Sequence, residues 1–322
     1  MAPVQTPPMH FGSVSPSTAL DAFRREMNGE VMALLRSLPK TVHTDAAVCL
    51  MRHFGALLLP EFDFFRTYFT PAWSILFWLE QKIAENVSLS AEERRHARAA
   101  HAMALFLHPL DDHLHDGQLP ASHLLLLLRS QAWRRMCEAL EALAAAGPGG
   151  EAILRGRIEA YYASIGQPPA EETLDGYCRH FQDQMATWMT VPLLMASRLA
   201  ADKGVCEAVQ CAYGGFGTAW RLLDDLQDLA LDIQTRHHSA VYYLLPLAAR
   251  QCWDRTSGGD ADGRQGMLWR AVHACGAVER LRRRLFKELQ SAAAAAETID
   301  LTELAGELRC LARPFAGDGA AP

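Results

Sequence analysis

What the 322-residue chain lacks narrows its class before anything it contains. β-Branched alternation and Asn-Gly turns are nearly absent, so there is little from which to build strands. Lys and Arg are scattered and the net charge is −6, so the basic stripe of a nucleic-acid-binding surface is missing. The eight cysteines (Cys49, Cys137, Cys178, Cys206, Cys211, Cys252, Cys275 and Cys310) form no C-x-x-C pair and no zinc-ribbon spacing. In a chain of this length they read as reduced thiols, which points to a cytoplasmic protein. The N-terminal stretch MAPVQTPPMHFGSVSPSTAL has no basic region leading into an apolar core, so it does not read as a secretory signal. No apolar run approaches the ~20 residues that span a bilayer, and no transmembrane segment is expected. A lipidic ligand stays open.

What is present is helical. Half of the residues are hydrophobic and 21% are charged, ordinary values for a chain with ample core. Residues 1–17, rich in Pro, Ser and Thr, read as a disordered leader, and 18–316 as a single all-α domain. Apolar periodicity predicts helices over 18–37, 44–58, 63–86, 91–115, 121–145, 150–164, 170–200, 204–235, 238–253, 263–290 and 300–312. Ser90-Ala-Glu-Glu93 is a capping box that starts the 91–115 helix, and Gly117 ends it. Pro109 and Pro192 should kink or interrupt their helices, and Gly214, Gly215 and Gly217 signal a kink or close packing. The economical architecture is a bundle of about ten helices.

Within this bundle LDDLQDLALD, residues 223–232, is electrostatically odd. On a helix, Asp224, Asp228 and Asp232 share one stripe, and like charges at that spacing cost roughly 0.2–0.5 kcal/mol per pair. The interleaved leucines require the helix to be at least half buried. A second cluster, DDHLHDG at 111–117, places Asp111, Asp112 and Asp116 at the end of the capped helix, where the helix dipole also disfavours negative charge. One such run alone would be a solvated helix face. Two, each closing a long helix, make sense if divalent cations lie between them. Clustered hard oxygen donors with few basic neighbours suit Mg²⁺, which completes its shell with water and phosphate oxygens. Two other classes fit the residues less well. A metal phosphohydrolase of the His-Asp type could use His101, His115-Asp116 and Asp225, but it leaves Asp111, Asp224 and Asp228 unexplained. A helical interaction protein has no use for two inward acidic faces.

DDHLHD followed by DDLQD on separate long helices of an all-α chain resembles the class I isoprenoid synthase superfamily. That superfamily includes trans-prenyl diphosphate synthases, squalene and phytoene synthases, and terpene cyclases. The resemblance covers roughly residues 60–290 and implies a bundle around a deep central cavity. It implies that Asp111, Asp112 and Asp116, with Asp224, Asp225 and Asp228, bind Mg²⁺ (three ions with diphosphate bound) that grips an allylic prenyl diphosphate. Asp112, Asp225 and Arg236 would be catalytic, and Arg236, His237 and Arg179 diphosphate ligands. Trp188 and Phe216 would line the cavity and stabilise the carbocation through cation–π attraction. A homodimer is what the resemblance suggests. The chain departs from the elongating members, which hold isopentenyl diphosphate with an N-terminal Gly-Lys-Arg segment and an Arg pair after the first motif. Here that motif runs into GQLPASH with no Arg before Arg129, and the candidates for the N-terminal segment are Lys40 in SLPKTVH and Arg52 in LMRHFG. Sequence therefore favours a terpene synthase that ionises farnesyl or geranylgeranyl diphosphate alone, with the chain-elongating transferase as the alternative.

Overall fold

Helix starts are written in side-chain oxygens. Ser17, Ser122 and Thr173 each accept the backbone N–H three residues on, at 3.2, 3.3 and 3.0 Å. The capping box forms as its spacing predicts: Ser90 Oγ accepts from Glu93 N–H at 3.1 Å, and the Glu93 carboxylate accepts from Ser90 N–H at 2.8 Å. Each such cap stabilises its helix by about 1 kcal/mol.

The chain is described by a computed structural model covering residues 9–57, 61–85, 87–115, 117–199, 203–255 and 261–316. Fifteen α-helices follow one another among the described residues: α1 (Thr18–Ser37), α2 (His43–His53), α3 (Pro71–Ala84), α4 (Ala91–His115), α5 (His123–Ala146), α6 (Gly150–Gly166), α7 (Leu174–Gln184), α8 (Ala186–Ala196), α9 (Lys203–Gln227), α10 (Leu229–Thr235), α11 (Ala240–Leu244), α12 (Leu247–Asp254), α13 (Ala261–Ala274), α14 (Ala277–Glu297) and α15 (Thr302–Ala312). Apart from one antiparallel bridge, Leu57 to Asp63, no extended pairing occurs among the described residues. None of the described helices is long and apolar enough to cross a membrane.

The helix count exceeds ten because several long periodic stretches are divided. The stretch 63–86 forms helix only from Pro71, after a short 3₁₀ turn at Phe65–Thr67. The stretch 170–200 breaks at Met185, where ψ is 2°, and not at Pro192, which lies inside α8. Gly276, at φ 62°, separates α13 from α14, and Leu245-Pro246 separates α11 from α12. α4, by contrast, runs unbroken through Pro109. Proline at 109 cannot donate to the carbonyl of Leu105, and the Tyr68 hydroxyl donates to that carbonyl instead, at 2.7 Å. The proline's missing bond is replaced from outside the helix.

The glycines of α9 serve close packing; the helix is continuous past them. A Cβ at Gly215 would stand 3.1 Å from Ala292 Cβ and 3.2 Å from the Glu288 carbonyl oxygen of α14, and one at Gly217 would collide with Met185. Backbones this close let α9 and α14 form the spine of the bundle.

Residues 9–17 were expected to be disordered, and they are packed. Phe11 is buried, edge-on to Phe69 at 4.7 Å and to Phe315 at 5.8 Å. Gly12 N–H donates to Leu311 O at 3.1 Å, and Gln227 of α9 donates to Met9 O at 2.7 Å. The Pro- and Ser-rich composition concealed one aromatic anchor. Residues 1–8 of the expected leader lie outside the described residues.

Gly215→Val should force α9 and α14 apart and destabilise the fold by about 1–3 kcal/mol, an overpacking penalty. Thermal unfolding measures it, and an unchanged midpoint would show that the two backbones do not meet there.

Candidate functional site

The two acidic motifs close α4 and α9, and in each motif one aspartate is already occupied by the protein. Asp111 accepts two hydrogen bonds from Arg129 of α5, at 2.6 and 3.0 Å, and one from the Tyr161 hydroxyl of α6, at 3.2 Å. Asp225, only 2% exposed, accepts from the Tyr177 hydroxyl at 2.8 Å and from Ala240 N–H at 2.8 Å, with Arg221 Nε 3.0 Å away. Arg221 also donates to the Tyr177 oxygen at 2.7 Å and lies 3.2 Å from His237 Nε2. Each lock is one carboxylate, one arginine and one tyrosine. Asp111 and Asp225, both expected as metal ligands, each have a cationic partner in the protein.

The other aspartates are differently placed. The side chains of Asp112 and Asp228 form no hydrogen bond or ion pair with described residues, and that of Asp224 has only a loose contact to Arg221 Nη1 at 3.6 Å. Burial pushes Asp224 up to about 7; Arg221 opposes this, while the charges of Asp225, Asp228 and Asp112 add to it. Asp228 is raised for the same reasons, with Asp112 again among the causes. Asp112 of α4 is therefore within electrostatic reach of both Asp224 and Asp228 of α9, and the motifs face each other. The ladder keeps its register across the joint at Asp228, because Asp228 N–H bonds Asp224 O and Asp232 N–H bonds Asp228 O, both at 2.9 Å. Asp232 is buried, and that burial pushes it up to about 7. Asp116 lies outside the described residues.

Unpaired hard carboxylates that repel one another fit a cation such as Mg²⁺, which takes one or two carboxylates and keeps water or phosphate oxygens for the rest of its shell. Among the described residues no three Asp, Glu, His or Cys side chains gather tightly enough to hold an ion by themselves.

One helical turn beneath the aspartates lies an aromatic floor. Trp220 precedes Asp224 by four residues, and His108 precedes Asp112 by four. Trp188 joins them, its ring 4.4 Å from His108 and 5.3 Å from Trp220. Phe216 and Phe69 extend the cluster at 5.9 and 5.7 Å from Trp220. Trp188 and Phe216, the two aromatics singled out from sequence, are both fully buried in it. Burial holds the His108 imidazole down to about 4, against the pull of Asp112, so it is neutral.

The three expected diphosphate ligands separate. Arg179 is 58% exposed on α7 and paired with Glu171 at 2.7 Å, a surface ion pair with no part in the site. Arg236 and His237 remain beside it. Arg236 ends α10 in the left-handed region at φ 66°, a conformation costing a non-glycine residue on the order of 1 kcal/mol, and its guanidinium has no partner among the described residues. The His-Asp phosphohydrolase reading fails on His101. Its ring is fully buried, with Nε2 2.9 Å from the Ala72 carbonyl that Tyr213 also donates to, and Asp225 is locked elsewhere.

No protein-family model matches the chain, and no curated protein does. Solved structures do. A geranylgeranyl pyrophosphate synthase from Corynebacterium glutamicum superposes with TM-score 0.67 at 13% identity, covering 94% of each chain. A polyprenyl synthetase from Streptomyces coelicolor gives 0.65 at 14%, covering 93% of this chain and 99% of its own. A geranylgeranyl pyrophosphate synthase from Corynebacterium glutamicum, complexed with isoprenyl diphosphate and magnesium, gives 0.61 at 15%, covering 92% and 99%. The chain has the all-α fold of these trans-prenyl diphosphate synthases.

Asp112→Ala and Asp225→Ala should behave differently. Removing Asp225 strands Arg221 in a buried site, a loss of about 3–5 kcal/mol, whereas Asp112→Ala should leave the unfolding midpoint unchanged or raise it. Thermal melts of both variants decide the matter, and equal midpoints would show that Asp225 anchors nothing.

Proposed function

We propose that the chain is a Mg²⁺-dependent enzyme that ionises an allylic prenyl diphosphate, farnesyl or geranylgeranyl diphosphate, and joins the cation to isopentenyl diphosphate with release of diphosphate. The observation that carries this is the pair of aspartate motifs on α4 and α9, with Asp112 facing Asp224 and Asp228 over an aromatic floor. The fold likeness supports the elongating reading over the terpene synthase that the sequence favoured. A feature of α2 agrees with it. Arg52 and His53 are exposed at the end of that helix, and the adjoining Phe54 ring stacks on His113 of α4 at 5.5 Å. A cation is thus available beside the first motif for a second diphosphate.

Asp112, Asp224 and Asp228, with Asp116, would hold the ions, three in number as the resemblance implies. Bound Mg²⁺ would neutralise the charge that develops on the leaving diphosphate. Arg236 and His237 would take diphosphate oxygens. Trp188, Trp220 and Phe216 exclude water, which would quench a carbocation, and offer ring faces that attract positive charge. The eight thiols are unpaired, in keeping with a cytoplasmic location. For the homodimer the suited surface is the α5–α6 face. Tyr162 and Ile165 are 54% and 53% exposed there, and a groove of about 450 Å³ between the helices is lined by Cys137, Leu154 and Ile158.

A terpene-forming reaction is the second reading, and one contact favours it. Arg129, the first arginine after the motif, is committed to Asp111 and is not free for an acceptor diphosphate. Incubation with Mg²⁺ separates the two. A longer prenyl diphosphate only when isopentenyl diphosphate is present supports elongation; a hydrocarbon or cyclic alcohol from the allylic substrate alone supports the second reading.

Cation binding must displace the proton that Asp224 carries near pH 7. A carboxyl raised this far is mostly protonated below its folded value and ionised above it, so cation affinity rises with pH through that range. The increase in melting temperature produced by Mg²⁺ with pyrophosphate should therefore grow from about pH 6 to about pH 8. A pH-independent increase would place the ions away from Asp224.

A further inference from the structure

Past the acidic ladder the chain turns at Arg236-His237-His238-Ser239, and the three basic side chains of that turn have different fates. His237 is held by Arg221, the arginine of the Asp225 lock, at 3.2 Å. His238 is held by two later helices. Its ring lies flat on Tyr242 of α11, with 3.8 Å between centroids and 9° between planes. Its Nε2 stands 2.7 Å from Asp254 Oδ1 of α12, and the imidazole is the donor because a carboxylate can only accept. The Tyr242 hydroxyl donates to the other oxygen of that carboxylate at 3.0 Å. Arg250, which donates to the carbonyls of Leu245, Tyr243 and Glu172, lies over the Tyr242 ring at 5.5 Å. Arg236 alone is left without a side-chain partner among the described residues.

We propose that Asp254 is a positioning residue: with Tyr242 it clamps His238, and so holds the turn in the shape that presents the Arg236 guanidinium to diphosphate. The inference rests on the prenyl diphosphate chemistry proposed above. Two features of the clamp have no local explanation. Asp254 is the last residue of α12, the end of a helix where negative charge is disfavoured, so it does nothing for its own helix. Arg236, a non-glycine residue, has φ 66°, a left-handed conformation that persists only where its surroundings over-determine it. Backbone bonds fix the entry to the turn, since the N–H groups of Arg236 and His237 both donate to Asp232 O. The exit is fixed by the His238 side chain. The clamp also differs from the exposed Arg179–Glu171 pair, because it adds a ring stack and shares its carboxylate with Tyr242, which is only 7% exposed. A guanidinium on a loose turn would lose its freedom anew at each binding event. A turn already held has made that loss before the ligand arrives.

The test titrates pyrophosphate, with Mg²⁺ present, into the wild-type chain, Asp254→Ala, Arg236→Ala and the double variant, and reads the affinity by calorimetry. Asp254→Ala is expected to weaken pyrophosphate about tenfold, within the range of coupling between residues in contact. In the Arg236→Ala background the same change should cost nothing further, since the clamp acts only through that guanidinium. Equal affinity in wild type and Asp254→Ala would overturn the proposal. So would a loss that persists undiminished in the Arg236→Ala background, which marks a general loosening of the fold. Arg236→Ala that binds like wild type would overturn it at its first step. Tyr242→Phe removes one donor and keeps the ring stack. It should fall between wild type and Asp254→Ala, and it carries the same comparison if Asp254→Ala does not fold. If wild type itself takes up no pyrophosphate with Mg²⁺, the proposed function falls, an outcome distinct from the others.

Discussion

The head of the bundle depends on one buried carboxylate. Asp225 gathers the Tyr177 hydroxyl from α7, the Arg221 guanidinium from α9 and the Ala240 N–H that opens α11. Taking a carboxylate and a guanidinium out of water costs several kcal/mol per ion, recovered only when every lone pair finds a donor. Here the donors come from three helices, so the charge is tolerable only while those helices are in place. The turn after α10, with Arg236 and His237, is held through the same arginine. The order of the second motif is a by-product of satisfying this one group.

The first motif repeats the logic with different parts. Arg129 and Tyr161 neutralise Asp111 from α5 and α6, as Arg221 and Tyr177 neutralise Asp225 from α7 and α9. Each motif is thereby divided into a carboxylate that fastens and carboxylates that remain repelled. The charges of Asp225, Asp228 and Asp112 all add to the effect of burial, which drives Asp224 up to about 7. A site poised in this way gains from cations and offers little to neutral ligands. Beneath it the floor is aromatic, so one turn of two helices separates the carboxylates from a cluster of rings.

Legibility in the sequence followed the range of the interactions. The 91–115 helix could be bounded to the residue because both ends carry local chemistry, the Ser90–Glu93 box and the positive-φ Gly117. The break at Met185 could not, because the sequence there lacks proline and glycine and the division is set by packing. The aspartates were visible because their spacing repeats. Their locks were not: Arg129, Tyr161 and Tyr177 stand 18, 50 and 48 residues from the carboxylates they serve, and only the fold brings them close. Arg179 misled because a plausible position along the chain says nothing about which face of a helix meets the cavity.

The hydroxyl of Tyr68 on the Leu105 carbonyl ties the fate of one residue to that of another. A proline inside α4 is harmless only while that hydroxyl is present, and losing the hydroxyl is costly only while the proline is. The two residues are therefore energetically coupled, although they stand 41 positions apart: removing the hydroxyl alone strands a carbonyl, whereas removing it together with the proline returns that carbonyl to an ordinary helix.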